Sequence, residues 1–429
     1  MEKVLKLFIA LLISTAFILS GCGQSSAPSG KIKLEFWTIS LKPEHTDYIE
    51  SLMAKYQKEN PDIELEWIDI PINVMMQKLM ASIAGGVSPD VVNLNPEYAL
   101  LLAQNNALVN MDEAVPAKDR EKYLDNLWNA ASFEGSNYAI PWYVTTQVVM
   151  YNSNLFSAAG LDADKGPKSW DDIEKDAVII KQKTGVYGFM PAIDPANFGK
   201  LLDDWQCQGI PVLSKDRKQA LFNSPAAAAR LQWYVDLYKN DIIPRETMTS
   251  GYQGAVEMYQ RGNLGMLVSG PQFLLKIKLN APDVYNATRV APYPRGKAGI
   301  VPAAIMNFAV PRASRHKEEA VKLALFLTND ENQLQFCKRL PLLPSTKKAA
   351  ADPFFIEGKG DPVQDEAIRI SIMQLKHARN LSLGLKNWVD LGKALKDAIE
   401  NSMYQRKTVQ AALDEAAEKW DEILASGDQ

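Results

Sequence analysis

From residue 31 onward the spacing of apolar positions switches repeatedly between a period of two and a period near 3.6, as when strands alternate with helices. Residues 33–39 (KLEFWTI) predict a strand. Over 43–60, Tyr48, Ile49, Leu52, Met53 and Tyr56 fall on one helical face, and the pattern stops before Pro61, which disfavours helix at its predecessor. Ile63, Leu65 and Trp67 alternate as a second strand. Residues 73–84 predict a helix capped by Asn73 and ended by Gly85-Gly86, and Pro89-Asp90 leads into the apolar strand DVVNL. This order predicts a parallel, doubly wound sheet, whose ligands bind beyond the C-terminal strand ends. Those ends are residues 37–42, 70–73 and 93–98.

A second α/β unit is predicted after residues 138–142 (YAIPW). Residues 144–152 (VTTQVVMYN) read as a strand, and Ser169-Trp170-Asp171-Asp172 fits a capping box opening a helix to 183. Gly185 and Gly188 frame the turn into a strand over 187–190. Ser224-Pro225 opens a helix to 239 whose inner face is Leu231, Tyr234, Val235 and Tyr238. A helix over 252–261 precedes the strand GNLGMLVSG, and helices follow at 317–328, 331–338, 387–405 and 408–425.

The N-terminus has a different pattern. Lys3 and Lys6 precede an almost continuously apolar run over 7–19, which is shorter than the roughly 20 residues of a membrane-spanning helix and has the form of an export leader. It ends in Leu19-Ser20-Gly21-Cys22, which resembles a bacterial lipobox; cleavage after 1–21 would leave a diacylglyceryl group on Cys22 as membrane anchor. A plain secretory signal with an incidental cysteine is the alternative. Residues 22–30 then form a small, polar tether.

Composition narrows the function classes. With 47 Lys plus Arg against 51 Asp plus Glu, the net charge is −4, and no basic excess is present to neutralise nucleic acid. Cys207 and Cys337 remain in the body, where an oxidising exterior would permit a disulfide; their mixed apolar surroundings predict two buried free thiols instead. The three histidines, His45, His316 and His377, have no partners at zinc-site spacing, and no metal or cofactor is expected. Neither GxSxG, GxxxxGK[ST] nor GxGxxG occurs. Adjacent acids such as Asp171-Asp172 and Asp203-Asp204 suit a wet helix face better than a glycosidase pair.

Tryptophan is the more informative residue. Of nine, Trp37, Trp142, Trp205 and Trp388 fall in loops or strand ends beside polar or turn residues. A sugar presents apolar C–H faces and a rim of hydroxyls, so flat rings combined with amides and carboxylates suit it. Packing explains Trp67, Trp128, Trp170, Trp233 and Trp420, which lie inside elements or at helix starts.

The leader and a series of segments together resemble the family 1 extracellular solute-binding proteins, the sugar receptors of ABC importers. They are EFW at 35–37, GVSPDVV at 86–92, YAIP at 138–141, VMYNSNLF at 149–156, AGLD at 159–162, GNLGMLVSGP at 262–271, APYP at 291–294, Leu340-Pro341 and AALD at 411–414. The resemblance covers nearly the whole mature chain. It implies a periplasmic-binding-protein-like fold: two doubly wound α/β lobes with a hinge and an interlobe ligand cleft. Lobe 1 would comprise 31–141 with 306–343, and lobe 2 would comprise 142–304 with 344–429. It also implies ligand contacts at Ser40 and Lys42 after the first strand and at Asn95, Glu97 and Tyr98 after the third. In the second lobe and hinge the implied contacts are Tyr143, Thr145, Asn197, Phe198, Ser269, Gly270 and Gln272, with a further one near Trp388. Maltose receptors of the family carry an acidic residue where this chain has Leu41 and a tryptophan where it has Gln272; Trp142, Trp205 and Trp388 are candidate replacement platforms. The implied role is capture without chemistry of a carbohydrate by a monomer, with ABC permease subunits as partners. A polyol phosphate or a polyamine, the latter drawing on Glu44, Glu97 and Asp203 or Asp204, are alternatives for the same receptor, with Lys42 and Arg379 favouring phosphate. A surface carbohydrate-active enzyme and a scaffold lipoprotein are rivals from other classes.

Overall fold

The computed structural model describes residues 30–426. The leader 1–21, Cys22 and the tether up to residue 29 lie outside the described residues. The strands are β1 (Ile32–Ile39), β2 (Ile63–Ile70), β3 (Val91–Leu94), the short pair β4 (Ser132–Phe133) and β5 (Ser136–Asn137), then β6 (Ile140–Thr146) and β7 (Val148–Asn152). They continue with β8 (Tyr187–Phe189), β9 (Leu264–Ser269), β10 (Thr288–Pro292), β11 (Val301–Ala309), β12 (Leu343–Pro344) and β13 (Ala378–Arg379).

One sheet runs in the order β12-β6-β11-β3-β1-β2, with β13 added beside β11. Strand β1 is parallel to both β2 and β3, whereas β11 is antiparallel to β3 and β6. Both faces of this sheet are covered, which explains why the central strand β3 is buried at every position, whereas the edge strand β2 keeps the alternation read from its sequence. Leu34 and Phe36 enter one core with Tyr48, Ile49, Leu52 and Tyr56 of the helix Thr46–Glu59, while Trp37 and Ile39 enter another with Met75 and Leu79. The second helix spans Ile72–Ala84 and starts after Pro71, so Asn73 lies inside its first turn and is not its cap.

The other sheet has the order β10-β7-β9-β8, with β7 antiparallel to both neighbours and β8 parallel to β9. Its largest core gathers Ile173, Leu231, Trp205, Leu395 and Trp420 from the surrounding helices. The capping box forms: the Asp172 amide donates to Ser169 Oγ at 3.1 Å, and the Ser169 amide donates to the Asp172 carboxylate at 3.0 Å.

The lobe boundaries differ from expectation because β6 and β11 belong along their length to the first sheet. The chain therefore changes lobe at Gln147 and between β10 and β11, rather than at 142 and 304. Nor does residue 344 begin the second lobe. Phe355, Leu375 and Ala378 pack into the first core beside Val144. The helix Pro362–Gln374 lies between the lobes, placing Ala367 and Ile370 against Val148 and Met150 while Ile368 and Ile372 pack on the first core. Only the helices Trp388–Met403 and Val409–Ser426 return fully to the second core. Cys207 and Cys337 are free and buried in separate cores, and burial pushes the Cys207 thiol up to about 12.

Candidate ligand-binding cleft

A cavity of about 620 Å³ opens where the chain crosses between the sheets. Residues 145–147 and 302–304 form its back, 95–97 come from the first lobe, and the rest of its wall belongs to the second lobe and to residues 380–383. Small-ligand pockets span roughly 300–1,000 Å³, so the space suits a small saccharide.

Its apolar wall is built around Phe198 and Trp388, whose ring centroids are 4.7 Å apart with planes tilted by 40°. Trp388 is the first residue of its helix, and Asn387 before it is held in the left-handed region at φ 58°, which asparagine tolerates better than most residues. One turn further, Gly392 lies under Phe198: a Cβ there would be 2.4 Å from the ring. Tyr252 and Phe273 add a perpendicular pair at 5.5 Å, and the Tyr252 hydroxyl shares a hydrogen bond of 2.6 Å with Ser269.

Amides and carboxylates occupy the same cavity. Asn95 caps the helix Pro96–Gln104 by accepting from the Tyr98 amide at 2.8 Å, which leaves its side-chain NH2 for a ligand. Asn197 donates to Asp194 at 2.7 Å and keeps its carbonyl oxygen. Glu97, in the first turn of the same helix, has no hydrogen-bond or ion-pair partner among the described residues, and burial raises its carboxyl above the usual range. Asp203 is paired with Lys200 at 2.9 Å. Asp204 takes Arg230 through two bonds of 2.7 and 2.9 Å, and Trp170, Trp233 and Tyr234 surround the guanidinium at 5.2, 4.1 and 5.0 Å. Burial opposes the charge on Arg230, but Tyr234 and Asp204 outweigh it and hold its pKa above the ordinary value.

Of the sequence candidates, Asn95, Glu97, Thr145, Asn197, Phe198, Gly270, Gln272 and Trp388 line this cavity. Others are elsewhere. Trp142 is 2% exposed and stacks on Phe336 at 4.7 Å and 16°, with Phe308 also at 4.7 Å, so it is first-lobe core and not a platform. Trp205 is fully buried, stacks on Phe222 at 5.6 Å and 6°, and donates its indole N–H to the Ala227 carbonyl. Tyr143 packs on Trp142 and Phe336, Tyr98 packs with the core around Ile39 and Leu94, and Ser269 is occupied by Tyr252. Ser40 and Lys42 stand at the end of β1 but outside the cavity. Asp69 accepts from the Leu41 and Lys42 amides at 3.0 and 2.9 Å, and the Lys42 ammonium lies 4.3 Å from the Trp67 ring centre.

Sequence reasoning missed Trp170, Tyr252, Tyr293 and residues 380–383 as lining residues. The stretch after Arg379 carried the one available signal: it has neither periodicity and separates two helical patterns.

Residues 42–334 match the family of bacterial extracellular solute-binding proteins. The chain belongs to this family. An arabinooligosaccharide-binding protein of Bacillus subtilis (strain 168) is 26% identical over 348 residues, covering 77% of each chain. The sn-glycerol-3-phosphate-binding periplasmic protein of Escherichia coli (strain K12) is 24% identical over 419 residues, covering 91% of this chain and 92% of that one. Among solved structures, a periplasmic-binding protein from Synechococcus sp. MITs9220 superposes with a TM-score of 0.83 at 32% identity, over 92% of this chain and 99% of the other. The fold of this solute-binding protein is thus that of the periplasmic binding proteins, its place is outside the cytoplasm, and its family comprises substrate-binding proteins rather than enzymes.

Proposed function

We propose that this solute-binding protein captures a carbohydrate, either a monosaccharide or a short oligosaccharide, and delivers it to the permease subunits of an ABC transporter while held to the membrane by a lipid on Cys22. The observation that carries the reading is the aromatic pair Phe198 and Trp388 lining one cavity with Asn95, Glu97 and Asn197. The rings suit the C–H faces of a sugar and the amides and carboxylate suit its hydroxyls. Because the lining comes from both lobes, a ligand that touches both favours their closure, and no covalent step is needed. The relatives named for arabinooligosaccharide and for sn-glycerol 3-phosphate support a polyol ligand and keep a phosphorylated one as the second reading.

The test is thermal shift and intrinsic tryptophan fluorescence of the purified protein against mono- and oligosaccharides, polyols, phosphorylated polyols and polyamines. At 100 times its Kd, a ligand specific for the folded state adds about 2.7 kcal/mol, a shift of a few degrees. Selective saccharide hits are expected; silence across all saccharides would remove the carbohydrate reading. The Cys22→Ala protein is expected in the soluble fraction, and its retention in membranes would remove the lipid anchor.

A further inference from the structure

The acidic and basic side chains lining the cavity are Glu97, Lys200, Asp203 and Asp204 among the described residues. Three of the four are already neutralised. Lys200 and Asp203 hold each other, and Asp204 is bound at both oxygens by Arg230, whose guanidinium is enclosed by Trp170, Trp233 and Tyr234. Glu97 remains as a half-buried carboxylate with no hydrogen-bond or ion-pair partner among the described residues.

The local backbone reinforces this sign. A helix N-terminus ordinarily attracts anions through its free amides. In the helix Pro96–Gln104 the first position is Pro96, which has no N–H; the Tyr98 amide is taken by the Asn95 side chain and the Ala99 amide by the Asn95 carbonyl, so of the first-turn amides Glu97's own is the one left for a ligand. Glu97 places its own negative charge on the same turn, so an incoming phosphate would meet a carboxylate beside a single free amide. The basic residues that favoured phosphate in the sequence are not available to the cavity. Lys42 covers the Trp67 ring, and Arg379 donates to the Lys376 and Ala378 carbonyls; neither lines the cavity.

Resting on the carbohydrate reading, we infer that Glu97 sets the charge of the accepted ligand: the site takes neutral or amine-bearing saccharides and rejects phosphorylated and carboxylated ones. Hydroxyl or ammonium donors on such a ligand would satisfy the Glu97 oxygens, whereas a second anion would leave two like charges together in a closed, poorly hydrated space. Burial already raises the Glu97 carboxyl above its ordinary range, as expected of a carboxylate short of donors.

The test titrates tryptophan fluorescence of the purified full-length protein and of Glu97→Gln with glucose, galactose, maltose, lactose, glucosamine, glucuronate, glucose 6-phosphate and glycerol 3-phosphate. Wild type should bind at least one neutral or amino sugar, with each anionic probe at least tenfold weaker than its neutral counterpart. In Glu97→Gln, which keeps the shape and removes the charge, that ratio should shrink severalfold while the melting temperature holds. Anionic probes binding wild type as tightly as neutral ones, or a ratio unchanged in Glu97→Gln, would overturn the assignment while leaving the receptor intact. No binding of any neutral or amino sugar would instead sink the carbohydrate reading, and this inference with it.

Discussion

Trp142 and Trp388 show how one residue type takes opposite tasks according to what covers its two faces. Trp142 has Phe336 and Phe308 against it, so Trp142→Ala should cost about 3–5 kcal/mol and lower the melting temperature sharply, with little change in the Kd of the folded fraction. Trp388 leaves a face to the cavity. Covering about 60 Å² of ring at roughly 25 cal/mol per Å² is worth about 1.5 kcal/mol, so Trp388→Ala should weaken saccharide binding about tenfold with a smaller effect on melting. Calorimetric melting paired with ligand titration separates the two, and a Trp388→Ala protein with wild-type affinity would end the platform assignment. Sequence could not tell them apart: Pro141 beside Trp142 suggested a turn or strand end, but Trp142 lies inside β6, where Ile140 and Val144 are buried as well. Gly392 adds a second case. Alanine inside a helix is ordinarily better than glycine by roughly 0.5–1 kcal/mol. Here the added Cβ would strike Phe198, so Gly392→Ala should lower both stability and affinity; a raised melting temperature would show that the ring has room to move.

At the scale of elements, what was legible is what local chemistry decides. The capping box at Ser169 and the apolar face of the helix Thr46–Glu59 follow from neighbours within four residues, and both form as read. The allegiance of the helix Pro362–Gln374 was not legible, because its periodic positions serve two cores at once and no local pattern says which lobe each face meets. Its cap shows how it is fastened. Asp361 accepts from the Gln364 amide and from Lys278 at 2.6 Å, and Tyr285 donates to it as well. Burial would raise this carboxyl, but Lys278 and Tyr285 prevail and lower it from 3.8 to about 2. A depressed folded pKa means that the stabilisation is complete above the unfolded value and is lost as pH falls through the folded one. Melting curves of wild type and Asp361→Asn should therefore differ above about pH 4 and converge between 3.8 and about 2. A gap that persists unchanged to pH 2 would mean that the carboxylate charge is not what fastens the helix.

On the scale of the whole molecule, the lobes are joined by more than the strands at Gln147 and between β10 and β11. After Arg379 the chain runs as a strap along the cavity. Asn380 donates to the Ala130 carbonyl of the first lobe at 2.9 Å, Gln206 of the second lobe donates to the Leu381 carbonyl at 3.0 Å, and Arg217 donates to the Leu383 carbonyl. Gln104, at the far end of the helix that carries Glu97, donates to the Gly384 carbonyl. The doubly wound sheet was legible because its strands and helices repeat a short-range pattern, whereas this strap is defined by partners more than 160 residues away and leaves no periodicity. Gly384 lies directly against the first lobe. It adopts φ +54°, where a side chain is strained, and a Cβ would lie 2.6 Å from that of Leu100. Gly384→Ala should therefore push the strap off the helix Pro96–Gln104 and separate Glu97 from the Trp388 wall. The expected outcome is weaker saccharide binding with Glu97 and Trp388 intact, together with a larger radius of gyration by X-ray scattering of the unliganded protein. Wild-type affinity and an unchanged radius would show that the lobes hold their spacing without the strap, through the crossing strands and the helix Pro362–Gln374 alone.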